Sequence, residues 1–313
     1  IPNLTITGES SLADTSFSIS SDEAETDISG YAHNLGLTGS SGPGKFTIQY
    51  EKVSPDYRTL VGSAISDREK ARVKWHYKIN EKHAVTSGFL WYRNNLDGAM
   101  DKRTDHYMPE IGLMTQRPLG RKYASTGISY RLDIARQNKD LTSRIDQIFN
   151  LNYKDRFWIF DTISNLGLAS YEYKVDQKQK NREYTYNTSL NANLCYDDFT
   201  LKPGLRLGGW ASRQELTSMS DKIYEYSLGA DLDIPSARIT SNIQVGQNRL
   251  EKESGTDSMK GFARINVFYK SDFLPKPRYS MLFLKAYIND YNYDNTDGDF
   301  RETSITSGIN IKF

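Results

Sequence analysis

One cysteine, Cys195, in 313 residues excludes an intrachain disulfide framework and argues against a cysteine-based zinc site. Long apolar runs are missing too. The longest, at Phe157 to Phe160 and Met281 to Leu284, fall far below the roughly 18 residues of a membrane-crossing helix. Charge of one sign is not in excess: 40 Lys and Arg face 39 Asp and Glu, which leaves +1 and no field to draw nucleic acid. The four histidines, His33, His76, His83 and His106, are scattered and pair with no nucleophile at a catalytic spacing. Gly42-Pro43-Gly44 and the stretch Gly204 to Gly209 lack the strand-to-helix setting of a phosphate loop. Asp294, Asn295, Asp297 and Asp299 lack the glutamate that completes an EF-hand and read as a solvated turn. No enzyme, cofactor or metal is therefore expected. The opening Ile1-Pro2-Asn3 carries no basic or apolar targeting segment, as in a processed secreted chain or a fragment.

What is present is aromatic side chain and alternation. Hydrophobic residues make up 37% of the chain, yet 21 Tyr and 13 Phe give it more ring surface than a disordered chain carries. From Lys70 to Ile79 one parity reads Ala71, Val73, Trp75, Tyr77, Ile79 and the other Lys70, Arg72, Lys74, His76, Lys78. On a strand, that separates the two sets onto opposite faces. Between Tyr184 and Tyr196 one face is Tyr, Leu, Thr and Ala, and the other is Thr, Asn, Ser and Cys195. The same rule predicts sixteen strands, at 14 to 20, 28 to 39, 45 to 53, 68 to 79, 83 to 95, 105 to 116, 122 to 137, 142 to 154, 157 to 175, 183 to 196, 199 to 215, 222 to 233, 237 to 250, 260 to 270, 278 to 292 and 301 to 313.

Tight links such as 41 to 44, 80 to 82 and 235 to 236 alternate with looser polar ones around 54 to 67, 96 to 104, 216 to 221 and 251 to 259. An even set of long antiparallel strands, with turns at one end and loops at the other, is the pattern of a transmembrane β-barrel. No linker divides the chain, so one all-β domain over 1 to 313 is expected, a single closed antiparallel barrel of about sixteen strands. Both termini fall on the short-turn, periplasmic side. In lipid the apolar parity faces out and the charged parity lines a wet lumen. Tyrosines and tryptophans at strand ends suit the headgroup level.

The last strand places Ile305, Ser307, Ile309, Ile311 and Phe313 on one parity and stops at that phenylalanine. In this it resembles the C-terminal insertion signal of Gram-negative outer-membrane barrels, which the barrel-assembly machinery reads. The resemblance covers essentially the whole chain and extends to general porins and to sixteen-stranded exopolysaccharide-export barrels, without singling out a subfamily. It implies the bacterial outer membrane, contact with outer-membrane lipid, and a periplasmic or secretion-complex partner as an option.

On the inward parity, Lys70, Arg72, Lys74, Lys78, Arg131, Arg144, Lys202, Arg206, Arg238, Arg264, Lys270 and Lys312 outnumber Glu110, Asp133, Asp146, Glu225, Asp231 and Asp233 by six. Acidic loops, such as Asp22, Glu23, Glu25 and Asp27, must offset that excess. Arg72, Lys74, Arg131, Arg206 and Arg264 sit mid-strand and, with Asp133 and Asp231, are the expected selectivity residues of a channel for polar, anionic solutes. Cross-strand pairing of these charges, as at Arg131 with Asp133 or Arg144 with Asp146, is the competing expectation. The loop from Ser54 to Asp67 is short for a plug and reads as an external loop. An export pore for a secreted polymer stays open as an alternative, with Trp210, Phe262 and Phe268 as stacking surfaces, and so does a scaffold barrel plugged by a partner protein. Cys195 reads as a small packing residue.

Overall fold

The computed structural model describes residues 3–17, 26–57, 67–96, 103–137, 141–174, 179–253, 255–271, 279–294 and 298–312. It is an all-β antiparallel sheet of seventeen strands. In chain order these are β1 (Asn3–Phe17), β2 (Thr26–Ser41), β3 (Gly44–Val53), β4 (Arg68–Lys78), β5 (His83–Asn94), β6 (Thr104–Gln116), β7 (Ser125–Gln137), β8 (Leu141–Phe157) and β9 (Phe160–Tyr173). They continue with β10 (Lys180–Ala192), β11 (Leu194–Cys195), β12 (Thr200–Gln214), β13 (Ser220–Ile234), β14 (Ile239–Lys252), β15 (Ser258–Ser271), β16 (Tyr279–Tyr293) and β17 (Phe300–Lys312). The chain forms two compact units, one of Ile1–Gln116, Gly127–Phe149 and Ala169–Lys180, the other of Arg117–Thr126, Asn150–Leu168 and Asn181–Phe313.

Three expectations are corrected. The strand count is seventeen because the segment expected at 183 to 196 breaks at Asn193, whose N–H turns to the Ile159 carbonyl. The first strand is Asn3–Phe17 instead of 14 to 20: Leu4, Ile6 and Leu12 do alternate, but Gly8, Ser10 and Ser11 dilute the signal, and pairing with β2 from Asn3↔Ser40 to Phe17↔Thr26 supplies what local pattern lacks. β7 begins at Ser125 because a short 3-10 turn at Pro118–Gly120 takes up the preceding residues, closed by the Arg117 N–H on the Ala124 carbonyl. Phe313 and Asp22, Glu23 and Glu25 lie outside the described residues, while Asp27 falls in β2.

On strands such as β4 and β13 the two faces have opposite chemistry, and the apolar one is the open one. In the first unit Val73, Trp75, Phe89, Ile111 and Leu113 are exposed, in register across β4, β5 and β6. In the second unit Leu207, Tyr226, Leu228, Ile243, Val245, Ile265, Leu284 and Ile305 form the corresponding exposed row. Leu228 is 59% exposed while its neighbour Ser227, on the other face, is 8% exposed. Among the described residues the buried apolar side chains are Val53, Ala124, Ala135 and Ala192, so neither unit hides an aliphatic core. Exposed rings stand at the turns, as at Tyr196 and Trp158, and also within the strands, as at Phe89, Tyr130 and Tyr226. At the turn between β8 and β9, Arg121 and Arg156 lie against Phe157 and Tyr123 and pair with Asp155 and Asp161.

Toward the loop end of the first unit the exposed parity becomes charged. Tyr50 donates to Glu69 at 2.7 Å, and Arg93 binds Asp105 at 2.6 Å and lies over Trp91. The described start of the 54 to 67 loop packs back on the strands: the Ser54 N–H donates to the Tyr31 carbonyl at 2.9 Å, and the Tyr57 hydroxyl donates to Ser11 at 2.9 Å. Residues 58–66 lie outside the described set.

Candidate functional site: the polar face of the sheet

Strand geometry sends alternate side chains to one face, so register decides which of the expected residues meet. In the first unit β3, β4, β5 and β6 bring Lys74, His76, Lys45 and Glu110 around a cleft of about 350 Å³. Lys74 is not a free cation, because its Nζ stands 3.7 Å from Glu110. Arg68 and Lys70 share Glu51, at 2.8 and 3.8 Å. Arg72 lies between these pairs with its Nε buried and lacking a hydrogen-bond partner.

On β7, Arg131 is exposed and has no ion pair among the described residues. Asp133 is engaged instead by His106 Nδ1 at 3.1 Å, and the His106 ring stacks on Tyr92 at 4.3 Å. The expected pair of Arg131 with Asp133 is therefore replaced by one of Asp133 with a residue 27 positions away. Arg144 does meet Asp146, and its guanidinium also lies over Tyr171 and Tyr173. Asp146 is 2% exposed. Replacing Arg144 by Met strands that carboxylate and should lower unfolding stability by about 1–3 kcal/mol, the desolvation cost of an unsatisfied buried charge. Denaturant titration in detergent checks it. The Arg144→Met, Asp146→Asn double variant should recover much of the loss.

The second unit is arranged differently. Asn187 and Ser189 on β10, Arg206 on β12, Glu225 and Ser227 on β13, Gln244 on β14 and Phe262 and Arg264 on β15 line a cleft of about 410 Å³. Arg206 also borders a larger one, about 650 Å³, with Lys202, Asn191 and Asp231. Asp231 accepts a hydrogen bond from Asn242 Nδ2 at 2.6 Å. Arg206 and Arg264 make no ion pair among the described residues, and Arg264 lies over the Phe262 ring at 4.9 Å. In the first unit Arg68, Lys70, Lys74 and Arg144 are offset by neighbouring acids, while Arg72 and Arg131, like Arg206 and Arg264 in the second, make no ion pair among the described residues.

Of the three stacking residues expected, Phe262 and Phe268 share β15, whereas Trp210 stands three strands away on β12. Sequence reasoning missed Lys260, Lys285, Phe283, Tyr287 and Tyr291, which register places on the same face of β15 and β16. The run Met281-Leu282-Phe283-Leu284 is apolar on both parities, so no alternation revealed its facing; pairing with Phe268 and Arg264 is what fixes it. Cys195 is exposed and does not pack as expected. Among the described residues no cluster of His, Cys, Asp or Glu could hold a metal; Asp299 instead accepts the Tyr293 N–H at 2.7 Å, while 295–297 lie outside the described set.

No family model and no curated protein sequence matches the chain. Solved structures do. A loop L8 deletion mutant of OmpT, an outer membrane protein of Vibrio cholerae, is 10% identical with a TM-score of 0.52, covering 99% of each chain. A BenF-like porin from Pseudomonas fluorescens Pf-5 is 10% identical with a TM-score of 0.43, covering 98% of this chain and 97% of that one. At such identity the first likeness speaks for fold: the chain has the fold of Gram-negative outer-membrane β-barrel proteins.

Proposed function

We propose that the sheet closes into a single barrel in the outer membrane of a Gram-negative bacterium and passes polar, preferentially anionic solutes through a wet lumen lined by its polar face. The observation that carries this reading is the inversion of Leu228 and Ser227, the apolar row open and the polar row sheltered. Water would penalise that arrangement; acyl chains favour it, at about 1.5–3 kcal/mol for each large aliphatic side chain withdrawn from water. Closure follows from the same solvent, since lipid cannot satisfy the backbone groups of an open edge.

Mechanism here is diffusion biased by wall charge, with no bond made or broken. Arg206 and Arg264 are the principal attractors, Arg72 and Arg131 contribute, and Lys74 contributes less because Glu110 offsets it. Asp133 and Asp231 are the acidic counterweights, each held by a hydrogen bond. In planar bilayers the purified chain should conduct and, in a potassium chloride gradient, give a zero-current potential of the anion-selective sign. An unbiased or cation-selective conductance overturns the anion preference, and silence overturns the channel. A polymer-export pore is the second reading, favoured by the aromatic surface on β15 and β16.

A further inference from the structure

The polar face of β15, β16 and β17 carries rings and cations in alternation along the strands. Tyr291 stacks on Phe300 at 4.4 Å with Lys260 Nζ 4.7 Å from the Tyr291 ring centre. Next come Phe262 with Arg264, then Lys285, which stands 5.3 and 5.8 Å from the rings of Phe283 and Phe268. By register these levels follow one another from Tyr291 down to Phe283, eight residues and so about 27 Å of strand. Among the described residues, none of these three cations has a carboxylate within ion-pair distance. Glu302 is the acid on this stretch, and its oxygens are taken by the Tyr287 hydroxyl and Asn289 at 2.8 and 2.9 Å.

The rings also lie down along the sheet. A Cβ at Gly246 would stand 2.6 Å from Phe262 Cζ, and one at Gly308 2.6 Å from Phe283 Cζ. Each ring therefore rests over a glycine on the neighbouring strand. A flat ring beside a free cation fits a sugar ring bearing a carboxylate: the apolar C–H face of the sugar stacks, and the cation meets the acid.

We propose that β15 to β17 form an extended binding track for acidic oligosaccharides, with Phe262 and Phe283 as stacking platforms and Lys260, Arg264 and Lys285 as carboxylate partners. The track is too long for one ring, so several sugar units would be engaged together. This deepens the channel reading and rests on its assignment of the polar face to the solute side.

The test is calorimetric titration of the full chain in detergent with hexagalacturonate, galacturonate, maltohexaose and benzoate, beside bilayer conductance of the same preparation. Hexagalacturonate should bind at least about tenfold more tightly than any of the other three, since each added ring and carboxylate contributes. Phe262→Leu with Phe283→Leu should weaken it by at least about tenfold. Lys260→Gln with Lys285→Gln, which removes no ring from the packing, should weaken the acidic hexamer and leave maltohexaose unaffected. Equal binding of neutral and acidic hexamers, equal binding of monomer or benzoate, or indifference to both pairs of substitutions overturns the track. Conductance without hexamer binding removes the track alone; hexamer binding by a silent protein removes the channel alone.

Discussion

Leu228→Arg should block stable insertion into lipid vesicles, at a cost of about 2–4 kcal/mol for a cation at the bilayer midplane, whereas Asn187→Arg should insert normally. Leu228 sits mid-strand on β13, on the exposed parity and opposite Val245 and Leu205. In hydrocarbon its guanidinium would have no partner and no water. Asn187 is opposite Gly208 on the polar face of the same unit, beside Glu225, where an added cation gains both water and a carboxylate. The two variants carry the same new charge, so the comparison isolates facing. Folding yield into vesicles and denaturant unfolding in lipid read the difference; equal tolerance of both would mean that the apolar row does not meet acyl chains.

Arg206→Glu with Arg264→Glu should move ion preference toward cations by on the order of tenfold in relative permeability, as wall charge in a narrow bore sets local ion concentration. The effect is large because neither guanidinium is neutralised by a neighbouring acid among the described residues, and both border one cleft. Lys74→Gln supplies the contrast: it removes one unit of wall charge where the two arginine reversals change four, and the shift should be smaller. Zero-current potentials in a salt gradient measure both. If the arginine reversal leaves ion preference in place, these side chains do not face the permeation path.

Much of this was legible in the chain itself. The separation of Val73, Trp75 and Tyr77 from Arg72, Lys74 and His76 survives intact because each face keeps one chemistry from Arg72 to Lys78. Local charge spacing reads unevenly: Arg144 meets Asp146, whereas Asp133, equally spaced from Arg131, is engaged by His106. Two kinds of feature were hidden. Contacts set by non-local pairing, such as His106 with Asp133, or Phe283 over Gly308, have no sequence signature at all. Segments with one chemistry on both parities, such as β16, conceal their facing, which is why Lys285 escaped notice. Alternation is also symmetric under inversion: it divides a strand into two faces without saying which is open, and only the exposed Leu228 beside the sheltered Ser227 breaks that tie.

The most direct measurement is spin-label accessibility in a reconstituted bilayer, on a Cys195→Ser background, with single cysteines at Leu228, Val245, Asn187 and Gln244. Labels at Leu228 and Val245 should be relaxed by oxygen dissolved in the acyl chains and shielded from a water-soluble nickel chelate, and labels at Asn187 and Gln244 should show the reverse. Chelate access at Leu228 and Val245, with oxygen favoured at Asn187 and Gln244, would contradict the account.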